Sequence, residues 1–399
     1  MTDAPAARRP TTADPVAAAR RLAPRLAARA GGYDTAGAFP VEDFADLRAA
    51  GLFGLMVPAA LGGAGAGFAD YAEVAYELAR GNGATALVFN MHSSVTGALA
   101  AVTEDLAEAL GIPDKALRAR DDFLAAAAAG SWYAVAMSER GAGSRLSRLS
   151  TEYEPAPGGY RIRGAKTFVS GAGHADAYLV AARSRADPSL VSQFLVPASA
   201  PGLRVEPSWD SLGMRATSSH DLHLDTEVPA ESLLGGVEGL ALVVAQLAPH
   251  WMVASYAAVY VGVARAAVDA AVQHVTDRGL AGLPAVRARV GRADAAVCAA
   301  WLAVREAARL VDADPGAQET RRWVWRAKLL AGGTAAEVAA SMLEAAGTSA
   351  TRRGHPLERL YRDARCGALH PATSDVCADW LGVAALGGDP DHDGSAPRW

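Results

Sequence analysis

The sequence predicts an α+β protein: an N-terminal α-helical domain, a central antiparallel β-barrel or sandwich domain, and a C-terminal four-helix bundle. Three observations carry this. Apolar residues recur at helical spacing from about Pro15 to Gly130. At about Ser131 the pattern changes to short alternating segments punctuated by turn residues, with no helix between them. After Gly239 long Ala/Val/Leu helical patterns return and run to the end. The expected boundaries are a disordered leader over 1–15, helices over 16–130, the β-domain over 131–236, the bundle over 237–386 and a flexible tail over 387–399.

In the first part, Val16–Ala30 shows Ala/Leu/Arg periodicity. Val41–Ala50 places Phe44 and Leu47 on one face and stops at Gly51, a residue that readily ends helices. The loop Gly62–Gly67 is rich in glycine, but it lacks the preceding strand and the lysine of a phosphate loop, so it argues little for a nucleotide. The helix Phe68–Arg80 follows, then the apolar helix Ala84–Val102, which contains His92. A lone imidazole on such a helix is more often a satisfied core group than a functional one.

The β-domain opens with the buried segment Trp132–Met137. Tyr160–Arg163, Thr167–Ser170, Ala177–Ala182, Gln193–Val196, Leu203–Pro207 and His220–Leu224 read as further strands. Pro-Gly-Gly at 157–159 and Pro-Gly at 201–202 mark turns.

In the last part, Trp251–Val275 is apolar on nearly every side and reads as buried all round. Ala254, Ala258, Gly262 and Ala266 allow a neighbouring helix close. Leu283–Leu310 and Glu319–Ala346 follow. His355–Leu381 reads as a basic helix, a tight turn and a final helix. Leu357, Leu360, Tyr361, Ala364 and Ala368 form its apolar face, and Arg359, Arg362, Asp363 and Arg365 load the rest. Pro371 ends the helix, since proline constrains His370 before it and donates no backbone bond. Ala372–Asp375 supplies N-cap candidates. A helix N-terminus suits an anion, and an imidazole beside it suits proton chemistry.

Composition narrows the class. The chain has 399 residues, 51% hydrophobic and 20% charged, which fits a globular protein with ample core. A net charge of −5 gives no electrostatic case for nucleic acid or an anionic membrane. Cys298, Cys366 and Cys377 are too few and scattered for a disulfide framework or a metal site. No signal-type apolar region follows the Ala/Pro/Thr-rich start, and the longest apolar runs fall short of a membrane span, so a cytoplasmic location is expected.

Two motifs carry chemistry. Met137-Ser138-Glu139-Arg140-Gly141-Ala142-Gly143-Ser144 closes the first strand, and its Gly-X-Gly-Ser turn offers backbone N–H groups and a hydroxyl to a phosphate or a flavin edge. Gly164-Ala165-Lys166-Thr167-Phe168-Val169-Ser170-Gly171 is a second strand and turn. With Gly51–Pro58, Gly62-Gly63, Gly213-Met214-Arg215, Val228-Pro229, Gly262–Ala267 with Arg278, and Leu357–Arg365, they occur in an order that resembles the acyl-CoA dehydrogenase family over nearly the whole chain.

The resemblance implies FAD where the β-domain meets the bundle. By position, Val135, Met137, Ser138 and Ser144 would line the flavin and its pyrophosphate. Phe168 stands where the family usually has a tryptophan on the isoalloxazine, and Ser170 where a threonine hydroxyl reaches flavin N5. Arg278 would pair with the FAD phosphates of an adjacent subunit, and Glu344, Gly347 and Thr373 fall on the remaining ADP-side positions. Shared sites of this kind imply a homotetramer, or a homodimer.

The chain departs from the family at the base. The glutamate that removes the substrate α-proton is replaced by Pro371, and its alternative place at the start of the long bundle helix holds His250. Proline offers no base. A sister group with the same fold, the two-component flavin monooxygenases and N-hydroxylases, places a histidine near the flavin at the position of His370, and His92 would be its second pocket imidazole. Two enzyme readings follow. One is a dehydrogenase acting on an acyl thioester of CoA or a carrier protein, with His370 or His250 as base and an electron-transfer flavoprotein as partner. The other is an oxygenase that receives reduced FMN or FAD from a reductase. A non-catalytic relative is the third reading, and Ser138, Ser144, Ser170 and Arg278 argue against it.

Overall fold

The computed structural model describes residues 14–391. Most of the expected leader lies outside them, but Asp14 already caps a helix, accepting from Ala17 N at 2.8 Å. Six helices form the N-terminal layer: α1 (Pro15–Ala36), α2 (Val41–Ala49), α3 (Phe68–Gly81), α4 (Gly83–Ala100), α5 (Glu104–Ala109) and α6 (Asp114–Ala128). The turn after α2 needs glycine, because Gly51 sits at φ +72°. Asn82 separates α3 from α4 and caps the latter by accepting from Ala84 N.

Seven strands make one curled sheet: β1 (Tyr133–Ala136), β2 (Glu152–Ala156), β3 (Gly159–Val169), β4 (Ala177–Ser184), β5 (Val191–Pro197), β6 (Leu203–Glu206) and β7 (His220–Pro229). Their order is β1-β4-β2-β3-β7-β6, with β5 also on β4. Pairing is antiparallel except at β4, along which β1 and β2 run parallel. The strand β2 is hidden in the sequence by its charges and Pro155. Proline is tolerated there because pairing to β4 ends at Tyr153, so no ladder bond is lost on that side. Two expected strands, 160–163 and 167–170, are one strand, β3, with an irregularity between Lys166 and Val169.

The bundle comprises α7 (Leu240–Leu247), α8 (Ser255–Asp277), α9 (Pro284–Ala313), α10 (Gln318–Ala346), α11 (Pro356–Arg365) and α12 (Ser374–Ala385). The stretch Pro249–Asp277, which contains α8, is long and apolar enough to cross a membrane, contrary to the run-length expectation. However, 78% of its apolar window is buried among the other helices, so it is the core of the bundle. Gly262 permits its contact with α3, since a Cβ there would meet Tyr76 O at 2.5 Å. One apolar cluster joins all three parts, with Leu26, Phe89, Tyr178, Val259 and Trp325 among its members. The start of the expected flexible tail is anchored: Asp391 accepts from Trp380 Nε1 at 3.0 Å and pairs with Arg321 at 3.1 Å.

Candidate active site

The turn between α11 and α12 carries His370, and three groups hold it. The α11 helix ends in carbonyls without intrahelical partners. Lys328 of α10 answers two carbonyls in the turn beyond, donating from Nζ to Gly367 O at 2.8 Å and His370 O at 3.2 Å. Burial pushes the Lys328 ammonium down to about 8. The His370 Nδ1 lies 2.6 Å from the Tyr260 hydroxyl of α8, and the Tyr256 ring lies 5.6 Å from the imidazole. Thr373 caps α12, accepting from Val376 N at 3.4 Å, and Ser374 Oγ beside it is buried without a partner.

Charge fixes this unit to the rest of the chain. Arg362 of α11 donates to both oxygens of Asp34 on α1 (2.9 and 2.5 Å), both of Glu358 (2.7 and 2.9 Å) and the Leu212 carbonyl (2.9 Å). Asp363 accepts from Met214 N at 2.6 Å. The Arg-Asp-Ala-Arg motif is therefore a clamp joining bundle, β-domain loop and first helix.

In the β-domain, Val135 lies on β1, with Met137, Ser138 and Ser144 on the loop after it. Glu139 secures that loop. Its carboxylate accepts from Ser150 N and Oγ (2.6 Å each), Thr151 N (3.0 Å) and Lys166 Nζ (2.7 Å). Burial alone would raise its pKa, but Lys166 and the Ser150 donors hold it down at about 2. Thr167 N donates to Ser138 O at 2.9 Å, tying the end of β3 to the loop. Beyond it Phe168 is 63% exposed at φ +57°, a left-handed conformation costly for a bulky side chain. Ser170 Oγ is 2.9 Å from Ser219 Oγ. A strained, exposed aromatic two residues from a buried hydroxyl pair fits a flat polar cofactor such as a flavin.

The remaining expected positions fall elsewhere. Arg278 is the exposed cap of α8, eighteen residues past Tyr260 and so about 27 Å along the axis. Glu344 and Gly347 lie at the end of α10, where Glu344 pairs with Arg289 at 2.6 Å rather than presenting a free polar group. His92 is a strut. Its Nδ1 accepts from Tyr133 N at 3.1 Å, and its Nε2 is 2.8 Å from Phe53 O. Both nitrogens are engaged by backbone, the arrangement of a satisfied core imidazole. His250 does not join the His370 pair and packs edge-on to Phe68, 5.3 Å between centroids.

Burial pushes His92 and His250 to about 4, and burial with the nearby Lys328 charge pushes His370 to about 3. An unfolded chain therefore binds more protons than the folded one between pH 6.5 and about 4. Stability should be full above pH 6.5 and fall on acidification, by about 1.4 kcal/mol per unit for each imidazole. Urea titrations at pH 7.5, 6 and 5 check this; equal midpoints would refute it.

Tyr260, Tyr256 and Lys328 escaped the sequence reading. The signal was present: two tyrosines four residues apart in an Ala/Val helix, and a lysine at an otherwise apolar position of α10.

Helical layer, curled sheet and bundle in this order are the architecture of a flavin-dependent oxidoreductase. Three domain descriptions match in order: acyl-CoA dehydrogenase N-terminal domain over residues 16–109, middle domain over 134–226 and C-terminal domain over 254–375. The chain belongs to the acyl-CoA dehydrogenase family. It is 32% identical over 388 residues to the L-evernosamine nitrososynthase of a Micromonospora species, covering 93% of this chain and 89% of that one. It is 30% identical over 381 residues to the cyclohex-1-ene-1-carbonyl-CoA dehydrogenase of Geobacter metallireducens, covering 92% and 95%. The structure of KijD3 with FMN and an amino-keto sugar nucleotide superposes with a TM-score of 0.84, 27% identity and 96% coverage of both chains.

Proposed function

We propose that the chain is the oxygenase component of a two-component flavin monooxygenase that hydroxylates a small amine. The Tyr260–His370 pair carries this reading. Burial raises the Tyr260 phenol well above its usual range, so it keeps its proton. Directing that proton to His370 Nδ1 satisfies both groups, whereas the reverse arrangement would bury an unpaired hydroxyl hydrogen. The pair thus holds a neutral imidazole with its own proton on Nε2. Such a group can donate to oxygen as negative charge builds there. It is a poor base for a thioester α-proton, and the family's acid positions hold Pro371 and His250.

Reduced flavin, when bound, supplies the two electrons that activate dioxygen. The balance is R–NH2 + O2 + 2 electrons + 2 H⁺ giving R–NHOH + H2O. Phe168, Ser170 and the Ser138–Ser144 loop would hold the flavin ring, and Lys328 and Tyr260 orient the imidazole. The likeness to a nitrososynthase and to an FMN-bound relative supports amine oxidation and FMN over FAD. A separate reductase would deliver the flavin, and a second copy of the chain would bring Arg278 to the phosphate.

Oxygen uptake and hydroxylamine formation on adding a flavin reductase, FMN and NADH test this. Anaerobic bleaching of bound flavin by butyryl-CoA would instead establish dehydrogenation and end the reading. Tyr260→Phe should lower kcat about tenfold at unchanged KM, because the imidazole loses its fixed tautomer. An unchanged kcat removes Tyr260 from the mechanism. The wild-type rate should show no inflection near pH 6.5.

A further inference from the structure

We infer that the substrate lies between α4 and the start of α8, and that it is a polar, oxygen-bearing small molecule rather than an acyl chain. This rests on the reading of His370 above and adds the chemistry of the substrate. Asn90 and Ser93 lie one turn apart on α4. The facing segment carries His250, Trp251, Ser255 and Tyr256. Direct contacts close this region. The Tyr71 hydroxyl is 2.6 Å from Asn90 Oδ1, Ser94 and Ser255 hydroxyls donate to the Trp251 carbonyl at 3.1 and 2.7 Å, and the Phe68 ring is 4.9 Å from that of Trp251.

On these two facing segments Asn90 Nδ2, Ser93 Oγ, His250 Nδ1 and Trp251 Nε1 are buried without a hydrogen-bond partner. The Tyr256 hydroxyl has only the Met91 sulfur, at 3.9 Å, and its ring borders His370. A fold does not normally leave so many polar groups unpaired in one place, since each carries the full desolvation penalty. Asn90 Nδ2 and Trp251 Nε1 can only donate, and Ser93 and Tyr256 can also do so. A ligand that satisfies them must present hydrogen-bond acceptors, which hydroxyl or carbonyl oxygens supply. An alkyl chain would leave every one of them stranded.

The full chain with oxidised FMN, but no reductase, is titrated calorimetrically with D-glucosamine, cyclohexylamine and butyryl-CoA. Glucosamine and cyclohexylamine are ring amines of similar size, with and without hydroxyls. Glucosamine should bind at least about tenfold more tightly than cyclohexylamine, and butyryl-CoA should not displace it. Asn90→Leu should lose about tenfold of the glucosamine affinity and none of the cyclohexylamine affinity. Ser93→Ala should weaken glucosamine while raising the melting temperature of the ligand-free chain, because it deletes an unpaired buried hydroxyl. Equal or tighter binding of cyclohexylamine or butyryl-CoA overturns the inference, and so does glucosamine affinity unchanged in both variants. The preference among the three probes needs no variant to fold. No electron transfer is read, so a failure here is distinct from a failure of oxygen uptake in the reductase assay.

Discussion

His370→Ala abolishes product formation, with a loss of at least about 100-fold, the usual worth of a positioned proton donor. Flavin affinity stays within about threefold if, as proposed, the ring is held chiefly by the β1 loop and the end of β3. The loss falls on kcat, since the imidazole acts on developing charge and not on the resting substrate. Reductase-coupled product formation and flavin fluorescence titration measure the two effects. Normal turnover would remove His370 from the chemistry. Coupled loss of flavin binding would show that the turn builds the cofactor site rather than the reaction.

Arg362→Ala is expected to cost about 3–5 kcal/mol of folding stability, the largest effect of any single surface-to-core contact described above. The guanidinium is buried and donates to Asp34, Glu358 and the Leu212 carbonyl. Its removal leaves the Asp34 carboxylate buried without its bidentate partner. Arg362→Lys should recover little, because an ammonium cannot reproduce the planar fork. The shift of the urea midpoint at unchanged slope measures this. A midpoint within about 0.2 M of the wild type, for a slope in the usual range, would refute the clamp.

Much of the architecture could be read from the chain because local chemistry dictates it. The helix ends at Arg365, earlier than Pro371 alone would require, and Thr373 caps the helix after the turn as its residue type suggests. The Ala/Val surface of α8 has nowhere to go but the interior. What could not be read was long-range. Arg362 meets Asp34 across 328 residues, and Tyr260 meets His370 across 110. No spacing rule relates such partners. The apolar surroundings of Lys328 mark it as buried, but its role stays open until the carbonyls of the His370 turn are known to need a donor. The two backbone partners of His92 are long-range as well, so the sequence cannot separate an imidazole that works on a substrate from one that braces two backbones.

The backbone of Gly367 runs between the Tyr260 ring and Gly332 of α10. A methyl at 367 would come within 2.9 Å of that ring, and one at 332 within 3.0 Å of the Gly367 carbonyl. Any attempt to evolve new selectivity therefore has one permissive wall and one forbidding wall. Libraries confined to positions 90 and 93 of α4 exchange unpaired polar groups for others of similar size, whereas a side chain added at 97 meets the Trp251 ring and one added at 332 or 367 costs folded protein.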